Sequence, residues 1–298
     1  MSFEKAYEEF KNYAKNRHKK QGFITLTYDF NYHIFPHFVG RDISSLTKKD
    51  VVEWQNNILK YNYKNKYNAR LYYAFNSFIK YCVCLGYLKE NIVECVGPFQ
   101  RKIECSHHTT YNVWQFRKFR FYLDDFILKQ FFTFMFFYGT RPSETMGLRF
   151  LDFKRNKYIC VVHSLQRKGK RELDTPKNQS SVRLFKIDVS MRLRICFLKR
   201  YYIKKYGCCN NDYFIFGGLT PLAPTTIDRY KKKAYIKAKL PSITQHEFRH
   251  SCATYRIHKK QPIDFVSTLL GHAKKSTTLD FYLHNEKNTL NVLSSNEF

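Results

Sequence analysis

The sequence predicts a mainly α-helical protein with a small antiparallel β-sheet, built as an N-terminal helical domain followed by an α+β domain. Apolar residues recur at helical spacing through the first hundred residues. Two runs rich in β-branched residues, 158–163 and 182–187, have the length and composition of strands. Helical spacing returns after Ile187, so the strands are expected to form a small sheet inside an otherwise helical chain.

The first hundred residues are expected to form about four helices. Thr47 followed by Asp50 resembles a capping box, in which side chains satisfy the free N–H groups at the start of a helix. Gly86 is expected to end the longest of these helices. The apolar stripes that support them are Phe3, Ala6, Phe10 and Tyr13; Val51, Val52, Trp54 and Ile58; and Leu71, Phe75, Phe78, Ile79 and Cys82.

Turn residues and charge interrupt the apolar periodicity near residue 97. Val96-Gly97-Pro98 contains two residues that favour turns, and basic residues follow at positions 101 and 102. We therefore predict two domains, 1–98 and 99–298, joined by a short basic linker.

Past this boundary, an aromatic-rich helix is expected over 123–138, ending at Gly139. Pro142 suits the first turn of the next helix, because the backbone N–H that proline lacks would have no helical partner there. The polar, lysine-rich segment between the two strands has the composition of a β-hairpin loop. Pro221 and Pro224 are expected in a loop that precedes the last helices.

The chain is strongly basic, with 52 Lys and Arg against 24 Asp and Glu and a formal net charge of +28. Residues 1–100 contain 15 basic and 9 acidic residues, a net +6, so the remaining residues carry 37 against 15, a net +22. This balance indicates a polyanionic partner, with the stronger phosphate-binding surface in the second domain. Ribosomal proteins and membrane-surface binders share such a balance, so motifs must separate these classes.

Composition also bears on the compartment. No apolar run approaches the roughly 20 residues of a membrane-spanning helix, and no signal peptide is recognisable at Met1. The nine cysteines are odd in number and form no Cys-x-x-Cys pair, which favours reduced thiols over a disulfide framework. We therefore expect a cytosolic protein.

Four short segments contain the side chains that break a phosphodiester bond without water. Arginine holds two phosphate oxygens, histidine holds or moves a proton, and a tyrosine hydroxyl attacks phosphorus. Each segment alone is common, since His-x-x-Arg is usually a surface pair and a single tyrosine is usually a core residue. Their order and spacing together carry the signal. The segments are Tyr138-Gly139-Thr140-Arg141-Pro-Ser-Glu144, His246-Glu-Phe-Arg249, Leu270-Gly271-His272 and Thr277-Thr278-Leu-Asp-Phe-Tyr282.

This pattern resembles the tyrosine recombinases, the integrase family of phages and mobile elements. The resemblance implies that two arginines bind the scissile phosphate, that a glutamate supports them, and that a tyrosine forms a covalent 3′-phosphotyrosyl bond. It also implies two histidines and one lysine at the site. Carried onto this sequence, the catalytic residues are Arg141, Lys177, His246, Arg249, His272 and Tyr282, with Glu144 in the supporting role.

The lysine is expected to protonate the leaving 5′-oxygen, and three lysines are candidates for this role. Pro176-Lys177-Asn-Gln-Ser-Ser-Val-Arg183 resembles a Pro-Lys-Thr-x-Ser-x-Arg form found in many mobile-element integrases, which favours Lys177. Family members with shorter hairpins would instead favour Lys168 or Lys170. Both therefore stay open as alternatives.

The chemistry is expected to need no metal and no other cofactor, because side-chain cations supply the positive charge. A tyrosine with a pKa near 10 costs roughly 4 kcal/mol to ionise at pH 7, and nearby arginines recover much of this. The phosphotyrosyl bond conserves the energy of the broken phosphodiester, so no ATP is required. In keeping with this, the chain has no Gly-x-x-x-x-Gly-Lys-Ser/Thr segment.

The resemblance further implies double-stranded DNA recombination sites as partners, a homotetramer on the DNA and a Holliday-junction intermediate. Accessory DNA-bending proteins are candidate partners, and no membrane partner is expected. The implied location is the cytoplasm, in association with the nucleoid. The segment His33-Ile-Phe-Pro-His-Phe-Val-Gly40 resembles part of the helical, SAM-like core-binding domain that precedes the catalytic domain in this family.

Three alternatives stay open. A Xer-type resolvase of chromosome or plasmid dimers has the same chemistry and a similar length. A type IB topoisomerase shares the catalytic residue types, but the pattern of Gly-His, Thr-Thr and Tyr favours recombinases. A non-catalytic DNA-binding regulator with the same fold is disfavoured because every catalytic position is filled.

Overall fold

The computed structural model describes residues 1–100, 109–165, 173–174 (backbone only) and 182–271. Contacts divide the chain into two compact units, 1–106 and 107–298. Each unit has its own hydrophobic core.

The described part of the N-terminal unit contains four long helices and two short ones. Its helices are α1 (Phe3–Lys15), α2 (Lys20–His33), α3 (Phe35–Phe38), α4 (Lys48–Lys60), α5 (Asn65–Cys84) and α6 (Ile92–Val96), with a 3-10 turn at Ile43–Ser45. The predicted capping box is present at α4, where the Thr47 N–H donates to Asp50 Oδ2 at 2.8 Å and the Asp50 N–H donates to Thr47 Oγ1 at 3.4 Å. After α5, Gly86 has the positive φ of +76° that a helix stop requires.

An aromatic core holds this unit together. The rings of Phe3 and Phe78 meet edge to face with centroids 5.2 Å apart. Trp54 is fully buried, and its indole N–H donates to the backbone carbonyl of His33 at 2.7 Å, so no polar atom of this large side chain is left unsatisfied.

Two members of the predicted apolar stripes face solvent instead of the core. Tyr13 is 42% exposed, because its ring lies at the edge of the core against Tyr81, with the Arg17 guanidinium 3.9 Å above it. Val52 is 43% exposed. The buried face of α4 contains Val51, Trp54 and Ile58, and Val52 points about 100° away from Val51 onto the exposed side of the helix.

The second unit combines seven helices with five short strands in its described part. Its elements in chain order are α7 (Val113–Phe121), α8 (Phe126–Tyr138), α9 (Pro142–Gly147), a 3-10 turn (Phe150–Asp152), β1 (Phe153–Lys154), β2 (Tyr158–Val161), β3 (Ser164–Leu165), β4 (Leu173–Asp174), β5 (Arg183–Lys186), α10 (Val189–Tyr206), α11 (Pro224–Lys237), α12 (Gln245–His258) and α13 (Ile263–Leu270).

Two sequence-based boundaries in this unit were wrong. The helix α8 begins at Phe126 and not at residue 123, because Asp125 caps it by accepting the Leu128 N–H at 2.8 Å. Pro224 is the first residue of α11 and does not lie in a loop. Its fixed φ and missing N–H suit the first helical position.

The small sheet is antiparallel, as the sequence predicts. Its strand order is β1-β2-β5, with Ile159 opposite Phe185 and also opposite Phe153. The strand β1 was not predicted, since two residues are too short to show an alternating pattern. The strands β3 and β4, which lie between β2 and β5 along the chain, form a separate antiparallel pair. The rest of the predicted hairpin loop, 166–172 and 175–181, lies outside the described residues.

The helix α8 is at the centre of the second unit and is apolar on nearly every side, which a helix surrounded by protein requires. It packs against α7, α9, α10 and α12. It ends at Gly139, which has a φ of +62° and donates its N–H to the Met135 carbonyl at 2.9 Å. This sharp stop brings the next residues, including Arg141, beside α12.

Candidate active site

Arg141 is the residue that caps α9. Its backbone N–H donates to Glu144 Oε2 at 2.8 Å, and its Nη1 donates to Glu144 Oε1 at 2.7 Å. The Arg-x-x-Glu spacing therefore does more than form a surface pair, because one carboxylate fixes both the backbone and the guanidinium of Arg141. The Arg141 side chain keeps 32% of its surface exposed.

Glu144 is buried, with 3% of its surface exposed, and joins a second arginine. Arg183 Nη2, from β5, donates to Glu144 Oε2 at 2.8 Å. Burial acts to raise the pKa of the Glu144 carboxyl, but the hydrogen bonds and charges of Arg183 and Arg141 outweigh it, so the pKa lies below its usual value. Glu144 is therefore a carboxylate at neutral pH.

Arg249 lies on α12 and is buried, with 5% of its surface exposed. Its Nη1 donates to the Gly139 carbonyl at 2.9 Å, which ties α12 to the end of α8. Burial, followed by the positive charge of Arg141, lowers the pKa of Arg249 to about 9. In the part of the chain that the structure describes, no carboxylate lies within ion-pair distance of this guanidinium.

The C-terminal end of α13 completes the cluster. Arg183 Nε donates to the Leu269 carbonyl at 2.7 Å, and Arg141 Nη2 donates to the Gly271 carbonyl at 3.1 Å. Cations are favourable at the carbonyl end of a helix, where free acceptors and the helix dipole are both negative. His272 is therefore the residue that directly follows the backbone carbonyl bound by Arg141.

His246 is exposed and lies in the first turn of α12, one turn before Arg249. That turn is fixed by a capping box in which the Glu247 N–H donates to Thr244 Oγ1 at 3.2 Å and Glu247 accepts the Thr244 N–H in return. The predicted spacing of His246 and Arg249 on one helix is present.

His272, Tyr282 and the three candidate lysines, Lys168, Lys170 and Lys177, lie outside the described residues. The structure therefore brings together Arg141, Glu144 and Arg249, and places His246 on the helix that carries Arg249.

Another tyrosine near the cluster is unsuited to attack phosphorus. Tyr138 is 3% exposed, and its hydroxyl donates to Asp188 Oδ2 at 2.6 Å. Burial, with this hydrogen bond, raises the pKa of Tyr138 well above its usual value, so its phenolate is disfavoured.

Sequence reasoning gave Arg183 no role beyond its place at the end of the lysine motif. A signal was available, because Arg183 stands in a predicted strand and an arginine on the inward face of a strand needs an internal partner. Its burial became apparent only when the strand register was known.

The described residues also show neither a metal site nor a membrane span. Within them, no group of three or more His, Cys, Asp or Glu side chains has a metal-binding arrangement. No helix in the described ranges is long and apolar enough to cross a membrane.

Comparison with known families agrees with this geometry. The profile of the Phage integrase family matches residues 122–289, and that of the Phage integrase N-terminal SAM-like domain matches residues 2–59. The chain therefore belongs to the phage integrase family, the tyrosine recombinases. It is a site-specific recombinase, an enzyme that breaks and rejoins DNA strands.

Relatives include both integrases and Xer-type proteins. The ICEBs1 integrase of Bacillus subtilis (strain 168) is 24% identical over 274 residues, which cover 86% of this chain and 72% of that protein. A XerC-like tyrosine recombinase of Caldanaerobacter subterraneus subsp. tengcongensis is 27% identical over 274 residues, which cover 82% of this chain and 69% of that protein.

Solved structures share the fold. The Tn1549 transposon integrase in complex with a circular intermediate DNA matches with a TM-score of 0.75 and 18% identity, covering 94% of this chain and 95% of that chain. A lambda integrase tetramer bound to a Holliday junction matches with a TM-score of 0.71 and 14% identity, covering 92% and 78%.

Proposed function

We propose that the cluster of Arg141, Arg183, Arg249 and Glu144 forms the phosphate site of this recombinase, with Arg141 and Arg249 binding the scissile phosphate. The burial of Arg249 beside Arg141 is the observation that supports this most directly. Three guanidinium groups and one carboxylate give the four side chains a net charge of +2. A buried cluster of this charge needs an anion, and a phosphodiester fits the forks of two arginines.

In the proposed reaction the Tyr282 hydroxyl attacks the scissile phosphorus. A bond forms between the tyrosine oxygen and phosphorus, and the bond from phosphorus to the 5′-oxygen breaks. The leaving 5′-oxygen takes a proton from Lys177, and the tyrosine proton passes to a neighbouring base. His246 and His272 hold or move protons around the phosphoryl oxygens. Attack by a 5′-hydroxyl from the partner DNA then reverses the step and releases Tyr282.

Charge develops on the non-bridging oxygens in this transition state, where fixed guanidinium groups stabilise it. The side chains supply the positive charge, and the phosphotyrosyl bond conserves the energy needed for rejoining. The proposed chemistry therefore includes no metal and no other cofactor.

We further propose that residues 1–98 form a DNA-binding domain and residues 99–298 the catalytic domain. The match of residues 2–59 to an N-terminal SAM-like domain supports the first part. Four protomers would act together on two DNA sites, as the lambda integrase tetramer on a Holliday junction suggests by analogy. Such a protein would work in the cytoplasm at the nucleoid, with accessory DNA-bending proteins as candidate partners.

Integration of a mobile element is the proposed biological role, and dimer resolution by a Xer-type system is the second candidate. The similarity to a XerC-like recombinase supports dimer resolution as this second candidate. Covalent protein–DNA complexes mapped on the DNA that flanks the encoding gene would separate them. Cleavage at both ends of a discrete element would support integration, and cleavage at a single chromosomal or plasmid site would support resolution.

The nucleophile can be tested on a DNA substrate nicked near the mapped cleavage site, which traps covalent complexes on denaturing gels. We expect Tyr282→Phe to abolish trapping and to leave DNA affinity almost unchanged, since it removes the attacking oxygen and few phosphate contacts. Tyr255→Phe is the matched control and should trap normally. Equal trapping by Tyr282→Phe would show that another tyrosine attacks.

A further inference from the structure

We propose that Arg183 is a positioning residue that holds two parts of the proposed phosphate site in register. One part is the Glu144 carboxylate that supports Arg141, and the other is the end of α13 that leads to His272. This inference rests on the proposed phosphate site and assigns a role to a residue that the motifs do not.

The contacts of Arg183 join three elements. The residue itself is on β5, which follows the lysine-containing hairpin segment. Nη2 donates to Glu144 Oε2 at 2.8 Å on α9, and Nε donates to the Leu269 carbonyl at 2.7 Å on α13. With 5% of its side chain exposed, Arg183 makes these bonds where water cannot easily replace it.

The neighbouring backbone is shaped around this guanidinium. Gly271 has a φ of +70°, and a Cβ built on it would lie 3.0 Å from Arg183 Nη1 and 3.3 Å from its Cζ. The chain therefore passes directly over the guanidinium. A glycine both permits the left-handed turn and leaves room for this close approach.

Only arginine can make both bonds at once. Nε and Nη2 lie on one edge of a rigid, planar group, so they reach two acceptors in a fixed relation. A lysine ammonium has one flexible nitrogen and would have to share it between the Glu144 oxygen and the Leu269 carbonyl.

Loss of Arg183 would change the proposed site in two ways. Glu144 would keep Arg141 as its described arginine partner, which would draw the Arg141 guanidinium further into the ion pair and away from DNA. The Leu269 carbonyl would lose a buried donor, so the end of α13 would move. Small displacements of positioned groups lower the rate of a chemical step much more than they lower ground-state binding.

The test compares Arg183→Gln and Arg183→Lys with wild-type protein on a half-site defined by the mapped cleavage position. Single-turnover cleavage at saturating protein should fall by up to about 100-fold in Arg183→Gln, the loss expected when positioned groups move by about 1 Å. Arg183→Lys should recover part of this loss. The Kd for the half-site should stay close to that of wild type in both variants.

The matched control is Arg194→Gln. Arg194 is a partly buried arginine of the same unit that donates to the Gln130 side chain at 2.9 Å. This variant should cleave at the wild-type rate per folded molecule. Wild-type cleavage by Arg183→Gln, or a loss of cleavage that only follows a matching loss of DNA affinity, would overturn the proposal.

A double variant separates positioning from general damage. Because Arg183 acts through Glu144 and also through the end of α13, the Arg183→Gln, Glu144→Gln double variant should lose more rate than Glu144→Gln alone but less than the product of the two single losses. Multiplying losses would contradict the proposed route through Glu144.

Amide hydrogen exchange gives a readout that does not depend on cleavage. In Arg183→Gln or, if that variant does not fold, Arg183→Lys, exchange over 263–271 should be faster than in wild type, while Arg194→Gln should leave it unchanged. Unchanged exchange in the Arg183 variants would overturn the positioning role even if wild-type protein formed no covalent complex. Absence of wild-type complexes on all mapped DNA would instead contradict the proposed function.

Discussion

Two guanidinium groups bind the Glu144 carboxylate and a third is buried near them. The cluster therefore has more positive than negative charge, which favours an anion as its ligand. Arg141 and Arg183 both donate to Glu144, while Arg249 donates to the Gly139 carbonyl. Burial lowers the pKa of Arg249 to about 9, so the group is still a cation at neutral pH but is held at a cost. A bound phosphate would remove that cost, which is why Arg249 is expected to act on DNA and not on stability.

At the residue scale, Arg141→Ala and Arg249→Ala are expected to reduce single-turnover cleavage by about 10²–10³-fold, comparable to the loss of a preorganised oxyanion donor. Half-site affinity should stay within a few-fold, because one phosphate contact among many contributes little to binding. Gel-shift titration and covalent trapping measure the two quantities. A loss of affinity as large as the loss of rate would show that these residues dock DNA instead.

The lysine assignment is tested by chemical rescue at the leaving group. A substrate with a 5′-bridging phosphorothiolate should restore cleavage to Lys177→Ala, because sulfur leaves without taking a proton. The same substrate should not rescue Arg141→Ala, whose defect lies elsewhere. Rescue of Lys168→Ala or Lys170→Ala, with none of Lys177→Ala, would move the general-acid role to that lysine.

At the element scale, α8, α12 and α13 meet at Gly139. A Cβ on Gly139 would lie 2.3 Å from Leu270 Cδ2 and 3.1 Å from Cys252 Sγ. Gly139 thus ends α8 and also allows α12, which carries Arg249, and α13, which precedes His272, to pack closely against that end.

Gly139→Ala is expected to destabilise the second unit by about 2–5 kcal/mol, through a left-handed backbone and a steric clash together. Gly207→Ala is a suitable comparison, since Gly207 ends α10 with a φ of +78° and has no atom within 4 Å of a built Cβ. Its cost should be limited to about 1–2 kcal/mol of backbone strain. Chemical denaturation measures both, and equal losses would show that the helix approach at Gly139 is not tight.

At the scale of the whole molecule, assembly is predicted from the C-terminal segment. The stretch after Glu286 has too few apolar residues for a core but enough, with Leu290 and Leu293, to anchor one face on a neighbour. This stretch lies outside the described residues. We predict that this stretch docks on a neighbouring subunit and so couples cleavage by one protomer to the state of the next.

Deletion of the residues after Glu286 is expected to spare binding to a single half-site and to weaken cooperative binding to paired half-sites. The free energy of cooperative binding between the two half-sites should fall by about 1–3 kcal/mol, the usual range for coupling between sites. Gel-shift titration on single and paired half-sites measures it. A full-length variant with Leu290→Ser and Leu293→Ser should behave like the deletion, and unchanged cooperativity in both would mean that the tail packs on its own protomer or on nothing.

The sequence by itself determined the class of fold, the family and the identity of most candidate residues. Apolar periodicity depends on local geometry, so the long helices and the strands β2 and β5 could be read from it. The capping box at Thr47 and the proline at the start of α9 are equally local. The order and spacing of the four segments that contain Arg141, His246, Arg249, His272 and Tyr282 were sufficient for the resemblance to tyrosine recombinases, since a motif is a property of order and spacing.

Only the tertiary structure decided what depends on residues far apart in sequence. Two local features were also missed in the sequence, the Asp125 cap that starts α8 at Phe126 and the position of Pro224 as the first residue of α11. The burial of Arg183 required the register of β5 against β2 and the end of α13, which lies 86 residues further along the chain. The lowered pKa of Arg249 has the same origin, because desolvation and the field of Arg141 exist only after α8 and α12 have packed.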